Sequence, residues 1–172
     1  MSTKEIKLRE LRPTDKSQLT FLANNKKIWD NLRDFFPHPY AESDAESFIN
    51  LTTAEAPKQT FAIEHNGELC GVIGLVAQED IYKRSAEIGY WLGEPYWGQG
   101  IATKAIELMT VYGFEELKLV RIYAGIFEYN ITSMHVLEKN GYKKEGVFKK
   151  AIWKNGKIYD EHRYYKLNGG DN

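Results

Sequence analysis

Between Glu87 and Ala105 the chain runs through three elements in quick succession. Glu87-Ile88-Gly89-Tyr90-Trp91-Leu92 reads as a buried strand, and Gly93 to Tyr96 followed by Trp97-Gly98-Gln99-Gly100 as a tight turn. Ile101-Ala102-Thr103-Lys104-Ala105 then reads as the start of a helix. That order aims several backbone N–H groups, and the positive end of a helix dipole, at one point, which is how backbones hold phosphate oxygens. Other strand candidates precede the turn, so it lies in the middle of the chain, and this placement limits the fold. A dinucleotide-binding fold carries its glycine fingerprint after the first strand, with an acidic residue ~20 positions on. A nucleotide P-loop needs Gly-Lys-Ser/Thr, whereas Gly100 is followed by Ile101. Neither alternative fits.

The rest of the chain supplies the frame for this turn. Ile6, Leu8 and Leu11 mark a first strand closed by Pro13. Thr14 or Asp15 caps a helix whose apolar positions run from Leu19 to Leu32. Phe35-Phe36-Pro37-His38-Pro39-Tyr40 predicts an aromatic loop, because residues before proline are pushed to extended geometry. Ser43 with Glu46 reads as a capping box opening a helix to about Leu51. Gln59–His65 and Leu69–Val76 read as a hairpin about Asn66-Gly67, and Ala86–Leu92 as the third strand of an antiparallel run. Ile101–Leu117 predicts a helix and Leu119–Phe127 a strand. A short helix capped by Asn130 follows and stops at Asn140-Gly141. Tyr142–Phe148 and Ile158–Leu167 close the pattern, with Asn155-Gly156 as their turn.

The order β-α-α-β-β-β-α-β-α-β-β predicts an α+β fold. Its central sheet is mixed and mainly antiparallel, of about seven strands flanked by helices, with one parallel crossover through the helix after the glycine turn. A ligand can enter where the strands diverge at such a crossover. With neither repeat nor linker, residues 1–168 read as one domain and residues 169–172 as a flexible tail.

Composition narrows the function classes. A net charge of −1 gives no reason to expect a nucleic-acid or acidic-membrane partner. The charge is uneven, however. Residues 42–55 carry Glu42, Asp44, Glu46 and Glu55 without Lys or Arg, and residues 143–157 carry six lysines against Glu145. Two solvated faces are the ordinary reading. The one cysteine, Cys70, lies in an apolar run, which suits a buried structural thiol and a reducing compartment. Four scattered histidines and this cysteine have no metal-ligand spacing. No stretch approaches the ~18 apolar residues of a membrane span, and no signal region opens the chain. A cytoplasmic protein without a metal or membrane partner is expected.

Three motifs occur in order: Gly89-Tyr90-Trp91, Tyr96-Trp97-Gly98-Gln99-Gly100-Ile101-Ala102-Thr103, and Asn130-x-x-Ser133, the last followed by Leu137-Glu138-Lys139-Asn140-Gly141-Tyr142. Together they resemble the GNAT superfamily of N-acetyltransferases, in particular the branch with the ribosomal-protein N-terminal (alanine/serine) acetyltransferases. The resemblance runs from the first strand to Tyr164-Tyr165. One departure is Trp97, which stands where the superfamily pattern has a polar residue.

The resemblance implies that acetyl-CoA is the cosubstrate, with its pyrophosphate on main-chain N–H groups from Gln99 through Gly100, Ile101 and Ala102 to Thr103. Gly98 and Gly100 would be small so that the backbone approaches the phosphates, and Lys104 would add charge. Backbone donors near Trp91 and Leu92 would stabilise a developing oxyanion. Asn130 would contact the cofactor arm, although helix capping explains it equally well. The tyrosine that serves the superfamily as general acid is replaced by Leu137, and the branch suggests Ser133 instead. Glu87 alternates with Gly89 and Trp91 on one strand face, so it is either ion-paired at an edge or a general base acting on the incoming ammonium. Trp29, Asp34, His38 and Tyr40 lie where the family recognises its acceptor.

No paired nucleophile and base is evident, so direct attack in a ternary complex is expected. The acceptor is a primary amine, with a protein N-terminal α-amine favoured. A small cationic amine (a polyamine or an aminoglycoside) and a non-catalytic acyl-CoA-binding module stay open as alternatives. A homodimer also stays open.

Overall fold

The computed structural model describes residues 5–170. Its seven strands are β1 Ile6–Arg9, β2 Thr60–His65, β3 Glu68–Ala77, β4 Ser85–Leu92, β5 Arg121–Phe127, β6 Lys143–Lys154 and β7 Lys157–Leu167. They form one sheet in the order β1-β2-β3-β4-β5-β7-β6. The β1–β2, β2–β3, β5–β7 and β6–β7 pairs are antiparallel, and β4–β5 is parallel. Parallel neighbours need a long crossover, and helix α4, Ile101–Glu115, lies between them in the chain. The other helices are α1 Lys16–Ala23, α2 Lys26–Trp29, α3 Glu42–Thr53 and α5 Ile131–Lys139. The expected α+β architecture and a parallel crossover through α4 are thus present. Of the expected tail, residues 171–172 lie outside the described residues.

Contacts divide the chain into two compact units, Met1–Gly74 with Tyr90–Leu108, and Leu75–Gly89 with Met109–Asn172. In the first, Leu19, Leu22 and Ala23 of α1 and Ala45 and Ile49 of α3 are buried at helical spacing. They join Ile28, Tyr40, Val72 and Trp91 in one core. Each large apolar side chain contributes about 1.5–3 kcal/mol by leaving water. Gly71 is required where β3 meets β4, because a Cβ there would overlap the Trp91 carbonyl oxygen.

The helix starts differ from the sequence reading at three points. The single helix expected through Leu32 is broken at Asn24-Asn25, where the Asn25 side chain accepts the Lys27 N–H at 2.9 Å and caps α2. Asp15 makes no cap for α1. Its carboxylate instead accepts the Arg12 N–H at 2.8 Å and both terminal nitrogens of Arg9 at 2.8 Å. The expected Ser43–Glu46 box is displaced by two residues: Ala41 precedes α3, and its N–H donates to Asp44 Oδ2 at 2.8 Å. Alanine has no side-chain acceptor, so only the returning half of the box exists.

Arg9 also donates through Nε to buried Glu64, which Lys7 Nζ meets at 2.9 Å. The bond from Lys7, and then that from Arg9, hold the Glu64 carboxyl below its ordinary range. A depressed folded pKa contributes stability that is present above the unfolded value of ~4.3 and is lost as pH falls through the folded one. Glu64→Gln is therefore expected to destabilise by about 2–3 kcal/mol at pH 7. The penalty should shrink on acidification below about pH 4. Urea titrations of both proteins at pH 7 and pH 3.5 check this, and an unchanged penalty at low pH would contradict it.

In the second unit β5 alternates. Ile122, Ala124 and Ile126 are buried, while Arg121, Tyr123, Gly125 and Phe127 occupy the other face. The buried side is tied to α5, with the Tyr164 hydroxyl donating to Glu138 at 3.1 Å and Lys166 Nζ to the Asn140 carbonyl at 2.7 Å. The parallel register pairs Ser85, Ala86 and Glu87 with Arg121, Ile122 and Tyr123. Asn155 and Gly156, at φ 51° and 73°, turn β6 into β7 as the hairpin signal requires. Strand β6 extends beyond the expected Phe148 to Lys154. A bulge interrupts it, and Asp160 accepts the Lys150 N–H there at 2.8 Å.

Candidate active site

The glycine turn is built on a pinned strap. Gly93 donates to the Cys70 carbonyl at 2.8 Å, and a 3-10 turn over Glu94–Tyr96 follows. Glu94 is held by Lys27 and by the Asn25 amide at 2.7 Å. The indole N–H of Trp97 donates back to the Leu92 carbonyl at 2.7 Å, leaving the ring 44% exposed. This bond accounts for a tryptophan in place of the usual polar residue: the ring closes the strap on the end of β4.

Gly98 and Gly100 then adopt φ 71° and 77°, in the left-handed region that favours glycine. A Cβ at either would meet nothing within 4 Å. The first intrahelical bond of α4 runs from the Lys104 N–H to the Gly100 carbonyl at 3.2 Å. The N–H groups of Ile101 and Ala102 precede it and point out of the helix front, with the dipole behind them. Gln99 is exposed, Ile101 buried, and Ala102 and Thr103 half-buried. Trp91 and Leu92 at the end of β4 are buried.

Glu87 is half-buried, and the buried Ala86 and Ile88 on either side of it lie on the opposite strand face. Asn130 caps α5 by accepting the Ser133 N–H at 3.2 Å through Oδ1, so its capping role is present. Its Nδ2 donates no hydrogen bond among the described residues. Ser133 is 8% exposed.

The acceptor candidates divide. Trp29 is half-buried, its indole N–H donates to the Phe36 carbonyl at 2.9 Å, and its ring stacks on the exposed His38 at 5.6 Å. Asp34 is exposed. Tyr40 belongs to the core at 5% exposure, with its ring 5.1 Å from Phe36, and burial pushes its hydroxyl up to about 12. Cys70 is buried, its thiol donates to the Ile63 carbonyl at 3.2 Å, and burial raises it to about 12, too high for a nucleophile at neutral pH.

A family model described as an acetyltransferase (GNAT) domain matches residues 5–143. The chain belongs to the GNAT acetyltransferase family.

Relatives of this GNAT chain cover it in part and in full. A 95-residue stretch is 42% identical to the Bacillus subtilis "Probable N-acetyltransferase YjcK", and spans 54% of this chain and 52% of that one. The Bacillus subtilis "Putative ribosomal N-acetyltransferase YdaF" is 36% identical over 94% of this chain and 90% of its own. Among solved structures, the ribosomal L7/L12 alpha-N-protein acetyltransferase RimL in complex with coenzyme A superposes with a TM-score of 0.84 at 26% identity, over 99% and 97% of the two chains. Spermidine N-acetyltransferase from Vibrio cholerae, in complex with CoA and spermine, gives 0.82 at 27% identity over 96% of each.

The GNAT chain is thus an acetyl-CoA-dependent N-acyltransferase resembling the ribosomal-protein branch. Its glycine turn suits a pyrophosphate, with outward N–H groups, two left-handed glycines and open space where their side chains would stand. Among the described residues no group of His, Cys, Asp or Glu is placed to hold a metal ion, and no helix is long and apolar enough to cross a membrane.

The sequence reading missed one feature of this GNAT sheet. Arg163 lies 5.0 Å from the Tyr123 ring and 4.3 Å from Phe148, and Arg121 lies 5.6 Å from Tyr123 and 5.2 Å from Tyr165. By register these side chains share the sheet face of Glu87. The signal was the period-2 run Tyr159-x-Glu161-x-Arg163-x-Tyr165.

Proposed function

We propose that the protein acetylates a primary amine by direct attack in a ternary complex, with an α-amine on a peptide or protein as the favoured acceptor. Residues 1–168 would act as one domain, in the cytoplasm. The observation that carries the reading is the glycine turn opening α4, in a chain of this family. Main-chain N–H groups from Gln99 to Thr103 would hold the pyrophosphate, and the Asn130 amide the cofactor arm. Acetyl-CoA supplies the acetyl group as a thioester.

The chain's own residues then handle protons and charge. Glu87 would accept a proton from the incoming ammonium, because only the free base attacks. Backbone donors near Trp91 and Leu92 would face the negative charge that develops on oxygen. Ser133 would return a proton to the departing sulfur, a modest contribution because a thiolate leaves readily. Trp29, Asp34 and His38 would meet the acceptor, with Tyr40 supporting them from the core.

An α-amine has a pKa of ~7.7–8.0 against ~10.4 for lysine, so far more of it is free base near neutral pH. The likeness to RimL and YdaF supports the same choice. The Vibrio cholerae relative with bound spermine favours a second reading, a small polyamine. A peptide with a free N-terminus and an internal lysine is expected to gain its acetyl group on the N-terminus, as located by mass spectrometry. Acetyl on lysine alone would overturn the preference, and turnover of polyamines without peptides would establish the second reading.

A further inference from the structure

On the sheet face that carries Glu87, Glu161 is held in an unusual place. Its register partner on β5 is Phe127, yet its carboxyl lies back over Gly125, where a Cβ would come within 2.7 Å of Cδ. Any residue larger than glycine at position 125 would displace it. Arg163 fixes the carboxylate from one side, through Nε at 3.2 Å and Nη2 at 2.6 Å, both to Oε1. Oε2 accepts no hydrogen bond among the described residues, and the side chain keeps 19% exposure. Arg163 is itself immobilised against Phe148 and Tyr123.

Aromatic rings follow on the same sheet face, on the side of Glu161 away from Gly125. Phe127 is its cross-strand neighbour, Tyr129 lies 5.3 Å from Phe127, and Tyr159 meets Tyr129 edge-on at 4.9 Å. Tyr159 precedes Glu161 by two residues and so shares its face. A carboxylate held by Arg163 through one oxygen, with the other open, matches the chemistry that binds ammonium and guanidinium groups. Gly125 lies two residues, about 7 Å, along β5 from Tyr123, the register partner of Glu87.

We propose that Glu161, seated over Gly125 with Oε2 open, is a specificity-determining residue that binds a second positive charge on the acceptor, close to the amine that is acetylated. This rests on the amine-acetylation reading and narrows it. The acceptor class is an amine with a neighbouring cationic group, and in a peptide that group is the second side chain.

Two peptides that differ only in Lys or norleucine at position 2 test it, with each protein's acetyl-CoA affinity measured alongside. Wild type is expected to favour the Lys peptide by about 10-fold in kcat/KM, through KM. Glu161→Gln should reduce the ratio to about 1 by raising KM for the Lys peptide alone, with acetyl-CoA affinity unchanged. Gly125→Ala, which displaces the carboxyl without removing it, should do the same. Equal use of both peptides by wild type, or an undiminished Lys preference in Glu161→Gln, overturns the proposal and leaves the acetylation reading standing. If peptides are not used but amines are, the α-amine preference fails, and 1,4-diaminobutane against butylamine gives the same ratio. No turnover of any amine overturns both.

Discussion

Acetyl-CoA binding is expected to fall roughly 100-fold or more when Gly100 is replaced by valine. Gly100 sits at φ 77°, and a Cβ there projects into open space, where a phosphate oxygen would come within ~3 Å of the backbone N–H groups. A branched side chain fills that space and also strains the left-handed backbone, at a cost of about 1–3 kcal/mol. Gly156→Val separates the two effects. Gly156 has φ 73° and equally open surroundings, but it belongs to the β6–β7 turn. It should lose comparable stability and keep acetyl-CoA affinity. Titration calorimetry on the three proteins, with circular dichroism to confirm folding, reads the outcome. Equal affinities in folded wild type and Gly100→Val would remove the turn from the binding site.

Glu87→Gln is expected to lower kcat by about 100-fold at pH 7, the usual scale for a positioned base, with acetyl-CoA affinity near normal. The reason is chemical. An ammonium has no lone pair, so a group that takes its proton is needed while the amine is mostly protonated. The deficit should therefore shrink as pH rises past ~8 for an α-amine, where solvent removes the proton unaided. Glutamine keeps the size and the half-buried place of the side chain, and the β4–β5 register that ends at Glu87–Tyr123 does not depend on its charge. A pH profile of kcat distinguishes the roles. Wild-type kcat at pH 7 would make Glu87 a structural residue, and an equal deficit at every pH would point to lost geometry.

The sequence alone determined the parts whose signals are local. The glycine turn was legible because left-handed backbone at Gly98 and Gly100 and the helix start at Ile101 are set by neighbours a few residues apart. The hairpins at Asn66-Gly67 and Asn155-Gly156 and the cap at Asn130 follow from the same short-range chemistry. Three such motifs in order were enough to indicate the family. Helix boundaries near the start of the chain were less legible, because the same side chain has competing uses. Asp15 could cap α1, but Arg9 and the Arg12 N–H claim its carboxylate, and that claim depends on packing.

Tertiary structure alone decided what each side chain faces. Tyr40 reads as a loop aromatic in sequence, and only the packing of Leu22, Ile28 and Ile49 places it in the core. Trp97 looked like a departure until its indole N–H met the Leu92 carbonyl. Most of all, Glu161 and Gly125 lie 36 residues apart in the chain, and their contact exists because β7 returns antiparallel beside β5 in one register. A shift of one residue would send Glu161 to the opposite face of the sheet. Spacing along the chain reports the conformation of neighbours, whereas strand register is fixed by the packing of the whole face, and a composite site on a sheet depends on the second.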